Sequence, residues 1–168
     1  MPGEGPQNAY TKRETSGMKI LCAIDGSRHC QRALDWLSHS CSPEDCSLLL
    51  VHAVDMAQCK SLSRLDRKTR SALVNVLECS LEGAARVLER AELKASTLWG
   101  SVRAKLLRGS PADAVAHLTK REQADFIVVG SRSGRSAHEY FVGNVADRAV
   151  KHAPCSVLVH RSEQTDGV

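Results

Sequence analysis

The sequence predicts a doubly wound α/β sandwich, a parallel five-stranded sheet covered on both faces by helices. Three observations carry this. Short apolar runs alternate with longer amphipathic segments along most of the 168 residues. The runs are apolar at nearly every position rather than at every second one, the pattern of parallel strands buried on both faces. Turn-forming residues cut them off, at Asp25, Gly109 and Gly130.

Composition bounds the reading. Hydrophobic residues make up 42% and charged residues 25%, which suits one folded domain with tails. Aromatic residues are only 4%, too few for a platform that stacks single-stranded bases. The net charge of +4 is spread among both signs. Its densest cluster, Arg64, Arg67, Lys68 and Arg70, is broken by Asp66 and reads as a solvated helix face. No nucleic-acid or membrane partner is expected. The apolar runs are too short to span a bilayer, and residues 1–17 show no apolar secretory segment, so the expected location is cytoplasmic. The seven cysteines are odd in number and none form C-x-x-C, which disfavours zinc or a disulfide framework. Cys59, in a polar stretch, is the best candidate for a reactive thiol.

Residues 1–17 contain two prolines and several glycines and read as a flexible tail. The domain occupies 18–160, and 161–168 form a short polar tail. Met18 to Ile24 is the first buried strand. Cys30, Ala33, Leu34, Leu37 and Cys41 then share one face of a helix over 28–40. Ser47 to Val54 is the second strand. A polar loop leads to a long helix over 65–91. Its stripe runs through Leu65, Thr69, Ala72, Leu73, Val76, Leu77, Ser80, Leu81, Ala84, Leu88 and Ala91. Val102 to Leu107 is the third strand. Ser110 and Pro111 have the order of an N-cap and first helical residue, opening a helix to about 121. Phe126 to Val129 is the fourth strand. Asn144 is expected to cap a helix that Pro154 stops, and Cys155 to His160 is the fifth strand.

Two turns could carry chemistry, because such sheets bind ligands beyond the carboxyl ends of their strands. The first is Ala23-Ile24-Asp25-Gly26-Ser27. Its carboxylate either accepts hydrogen bonds from a nucleoside or satisfies the amides of the next helix. The second begins with Gly130, Ser131, Arg132, Ser133 and Gly134 and ends at Gly143 and Asn144. Glycines let backbone amides turn toward an anion, and a helix N-terminus adds positive potential. The rival reading of that segment is a surface loop before a helix cap. No P-loop, dinucleotide G-x-G-x-x-G or G-x-S-x-G elbow is present.

Taken together, these turns resemble those of the universal stress protein family over residues 18–160. The matching fragments are Met18 to Ser27, Leu50-Val51-His52-Ala53-Val54, Gly109-Ser110-Pro111, Ala124 to Ser131, Val142-Gly143 and His152 to Val159. The resemblance implies strand order 3-2-1-4-5, a Rossmann-like fold of the adenine nucleotide alpha hydrolase type. It also implies a homodimer through the last strand, residues 155–159. Members that bind ATP or AMP carry G-x-x-G, nine residues, then G-[ST]. Here Gly130 and Gly143 keep the register, but Ser133 replaces the second glycine and Asn144 the final Ser or Thr. Carried over by position, Asp25 and Leu48 would contact the nucleoside. Gly130, Ser131, Arg132, Ser133, Gly134, Gly143 and Asn144 would line the phosphates, with Mg as the possible companion of ATP. Three functions fit: a nucleotide-binding stress sensor or regulator, an interaction module with an altered pocket, or a slow ATPase or autophosphorylating protein. The last lacks a convincing general base or metal cluster in the sequence.

Overall fold

Strand β1 (Met18–Ala23) opens a strictly alternating chain. Helix α1 (Arg28–Ser40), a 3-10 turn (Pro43–Asp45), β2 (Cys46–Val54), α2 (Arg67–Ser96) and β3 (Val102–Arg108) make the first half. Helix α3 (Pro111–Glu122), β4 (Phe126–Gly130), α4 (Asn144–His152) and β5 (Ser156–His160) make the second. The computed structural model describes residues 17–56, 66–131 and 143–161. The tails at 1–16 and 162–168, Cys59, Arg64, Leu65 and the segment holding Arg132, Ser133 and Gly134 lie outside the described residues.

All four strand pairings are parallel, and the spatial order is β3-β2-β1-β4-β5. This is the order the family resemblance implies. Side chains alternate between two cores, as a pleated strand requires. Ile20, Cys22, Leu48, Leu50 and Val128 pack under α1 and α2. Leu21, Leu49, Val51, Ile127 and Val129 pack under α3 and α4. The buried stretches Ile20–Cys22, Leu48–Val51 and Ile127–Val129 of the three inner strands are therefore apolar, and Lys19, Ser47 and His52 sit toward the strand ends. Edge strand β3 is half-buried and carries Arg103 and Lys105, which both pair with Glu122 at the end of α3. The Lys105 hydrogen bond is the main cause holding the Glu122 carboxyl below its ordinary pKa.

Two expectations are corrected. The first concerns α2. It runs from Arg67 to Ser96, capped by Asp66, whose carboxylate accepts from the Lys68 and Thr69 amides at 3.0 and 3.1 Å. Leu77, Ala84, Leu88 and Ala95 are buried, but Thr69, Ala72, Val76 and Ser80 of the expected stripe are exposed, Val76 by 56%. The reason is length. Thirty residues of helix reach about 45 Å, whereas nine residues of β2 reach about 30 Å. The first turns of α2 therefore extend past the sheet they would pack on.

The second correction is the cap of α4. Gly143 is the N-cap, and its carbonyl accepts from the Asp147 amide at 2.9 Å. Asn144 is the first helical residue, one position later than the expected capping role. Ser110 and Pro111 do occupy the N-cap and first positions of α3, although the Ser110 hydroxyl makes no capping hydrogen bond. Among the described residues, no helix is long and apolar enough to cross a membrane.

Burial predicts where mutation matters. Leu50 is fully buried between β1 and β3, so Leu50→Ala should cost about 2–5 kcal/mol in chemical denaturation. Val76→Ser, on the overhanging part of α2, should change stability by no more than about 0.5 kcal/mol. Comparable losses at the two positions would contradict the overhang.

Candidate functional site

The chain winds one way from β1 through β2 to β3 and returns to the other side of β1 for β4 and β5. The crossovers at β1 and β4 therefore leave on opposite faces, and a cleft opens between the carboxyl ends of these strands. Its volume is about 380 Å³, within the roughly 300–1,000 Å³ typical of small-molecule sites. Ala23, Ile24 and Asp25 line it from β1, Val51, His52 and Ala53 from β2, and Val129 and Gly130 from β4. Gly143, Asn144 and Val145 bring the start of α4 to the same space, and Pro111 brings that of α3.

Local hydrogen bonds fix both turns. The Ser27 amide donates to Asp25 Oδ1 at 2.9 Å, and Ser27 then caps α1 by accepting from the Cys30 amide at 3.3 Å. Between them Gly26 has φ +79°, and a Cβ there would meet a Val87 methyl at 3.0 Å. The positive φ favours glycine, and a side chain would also press on Val87. Across the cleft, the Ser131 amide donates to the His160 carbonyl at 2.9 Å, and the Gly143 amide donates to the Ser131 carbonyl at 2.8 Å. These two bonds bring the ends of the Gly130–Gly143 segment together at the positive end of α4.

Lost hydration pushes the Asp25 pKa up, but hydrogen bonds from Ser27 and Cys30 and the charge of His52 outweigh it. The net result lies below the ordinary carboxylate value, so Asp25 is an anion at neutral pH. Burial pushes the Cys30 thiol up to about 12, and the neighbouring Asp25 charge adds to the effect. That thiol is a neutral wall of the cleft, its Sγ donating to the Ala23 carbonyl at 3.7 Å. Burial also lowers the His52 pKa against the opposing pull of Asp25, and its Nδ1 is buried with no hydrogen-bond partner among the described residues.

A sequence profile described as the Universal stress protein family matches residues 18–161. The chain belongs to the universal stress protein family. A universal stress protein of Thermus aquaticus is 34% identical over 142 residues, covering 84% of this chain and 97% of the relative. Among solved structures, the universal stress protein UspA from Lactobacillus plantarum has a TM-score of 0.74 at 21% identity, covering 88% of this chain and 99% of its own. A universal stress protein family protein from Arabidopsis thaliana, solved with AMP bound, has a TM-score of 0.61 at 22% identity, covering 88% and 93%. At these identities the solved structures speak to the fold.

Within this universal stress protein fold, Asp25, Gly130, Gly143 and Asn144 converge on one cleft, and buried Ser131 stitches its base. Leu48 does not join them. It lies near the amino end of β2, is 1% exposed in the core, and donates its amide to the Ser101 carbonyl at 2.9 Å. The part of β2 at the cleft is Val51 to Ala53. His52, Ala53 and Cys30 are cleft residues that the sequence reading did not select. The carboxyl-end rule could have found the first two, because only the last residues of a parallel strand reach the ligand side. Among the described residues, no group of three His, Cys, Asp or Glu side chains is placed to hold a metal ion.

The two histidines whose buried Nδ1 atoms have no hydrogen-bond partner among the described residues predict a pH dependence. Burial comes first among the causes that lower the pKa of His52 and of His160, which also feels His29 and Arg32. A histidine kept neutral by the fold stabilises it above the unfolded pKa of about 6.5, and that stability is lost as pH falls toward the lower folded value. The melting temperature should therefore drop on acidification through and below that pH. The double variant His52→Gln, His160→Gln should show a shallower drop in scanning calorimetry. An equally steep profile would show that neither histidine drives it.

Proposed function

We propose that this universal stress protein binds an adenine nucleotide, ATP or AMP, in the cleft between β1 and β4, and acts as a cytoplasmic homodimeric sensor or regulator. The carrying observation is the pairing of opposite chemistries across one space. An anionic carboxylate at Asp25 shares the cleft with two glycines, Gly130 and Gly143, and with the helix N-terminus at Asn144. A carboxylate suits ribose hydroxyls or an adenine amine, and a helix N-terminus suits phosphate. The buried His52 Nδ1, with no hydrogen-bond partner among the described residues, gives the cleft a polar group that a ligand could satisfy. The AMP carried by the Arabidopsis relative supports the same class of ligand.

In this reading Asp25 and the end of β2 hold the nucleoside, while Gly130, Gly143 and Asn144 hold the phosphates, joined by Arg132, Ser133 and Gly134. Asn144 at the first helical position offers both its backbone amide and its side-chain amide as donors. The protein purified and then denatured should release adenine nucleotide. Asp25→Ala should weaken binding of added ATP or AMP by about 1–3 kcal/mol in calorimetric titration. Unchanged affinity in a folded variant would remove Asp25 from the site. A wild type that carries no nucleotide and ignores millimolar ATP, with or without Mg, would favour an interaction module whose pocket is altered at Ser133 and Asn144.

The homodimer rests on β5. It is a sheet edge, and Val157, Leu158 and Val159 are only half-buried on it. An apolar edge invites pairing with another chain, and a two-fold axis satisfies both copies at once. Sedimentation at tens of micromolar should give a dimer, weakened by Val157→Pro with its circular dichroism retained. A monomeric wild type would refute this pairing.

A further inference from the structure

A second cavity, of about 160 Å³, lies between α1 and α2 behind the Asp25 turn. Ile24 and Cys30 are shared with the main cleft, but the remaining walls are its own. Leu34 from α1 and Val87 and Ala91 from α2 make it apolar, and Arg90 and Lys94 add positive charge. The two cations differ. Lys94 is committed to an ion pair with Asp35. Arg90 has no ion-pair partner among the described residues.

Size and charge together select a ligand class. A space of about 150 Å³ is large enough for one benzene ring. This slot has that capacity and, in addition, a guanidinium whose fork matches a carboxylate in a bidentate pair. A neutral ring would gain nothing from the Arg90 charge. A phosphate dianion would have to draw Lys94 away from Asp35. A single carboxylate on a ring-sized apolar body meets both demands. We propose that the slot between α1 and α2 is a second ligand site for a small aromatic monocarboxylate, its ring against Ile24, Leu34, Val87 and Ala91 and its carboxylate on Arg90. The site stands apart from the nucleotide reading, since neither Gly130, Gly143 nor Asn144 contributes to it.

Benzoate is the probe, titrated into the full chain with amide chemical shifts as the readout. Binding with a Kd on the order of 1 mM is expected, ordinary for so small a ligand. The shifts should fall on α1 and α2 around residues 30–34 and 87–94. Arg90→Met, at an exposed position that leaves the core intact, should weaken benzoate roughly tenfold while sparing neutral benzyl alcohol, as loss of one charge-assisted contact predicts. Ala91→Phe should abolish both by filling the slot. Should it misfold, the Arg90→Met comparison decides alone. Absence of benzoate binding at about ten times that concentration would overturn the proposal. So would equal binding by wild type and Arg90→Met, or shifts confined to the Gly143 end of the cleft.

Discussion

Strand β1 lies at the centre of the sheet, with Ile20 and Cys22 under α1 and α2 and Leu21 under α3 and α4. A parallel strand buried on both faces cannot tolerate a polar side chain inside, and it must be flanked by crossovers on both sides. Here the crossovers of the first half cover one face and those of the second half cover the other. Their divergence leaves a gap above β1 and β4 that no helix fills. The cleft is thus a by-product of how the central strand is buried, and Asp25 is the first residue after β1 free to be charged.

The same constraint explains the electrostatics of the site. Residues just beyond the sheet stand between a dry core and solvent, so partial burial acts on each of them. It raises the Cys30 thiol to about 12 and lowers the His52 imidazole, keeping both neutral. Asp25 escapes because Ser27 and Cys30 offer hydrogen bonds that favour its anion. Asp25 therefore stays anionic in the same cleft as the positive end of α4. The smaller slot behind the turn follows from the α1–α2 contact. Gly26 brings the turn against Val87, and both residues line the slot.

Local signals were legible where one rule governs the residue. Ser110 and Pro111 begin α3 in the expected order, and Cys30, Ala33, Leu34 and Leu37 are the buried face of α1. They failed where distance along an element matters. The stripe on α2 continues in sequence beyond the point where the sheet stops, so Val76 is apolar and exposed. Leu48 and Ala53 belong to the same strand, yet only Ala53 reaches the cleft, because about five residues of extended chain separate the core from the carboxyl end. Asn144 has the chemistry of a cap, but Gly143 already accepts the first helical hydrogen bond.

By itself, the sequence determined the element order, the parallel character of the sheet and the two turns that carry polar chemistry. Each depends on residues near one another in the chain, on the period of their hydrophobicity and on the torsional freedom of Gly and Pro. Tertiary structure alone decided which end of β2 meets Asp25, and that His52 sits beside it with a nitrogen buried from solvent. It also decided that Arg90 borders an apolar slot behind the same turn. Those relations join residues far apart in sequence, from strands and helices packed face to face, and no periodicity within one element contains them.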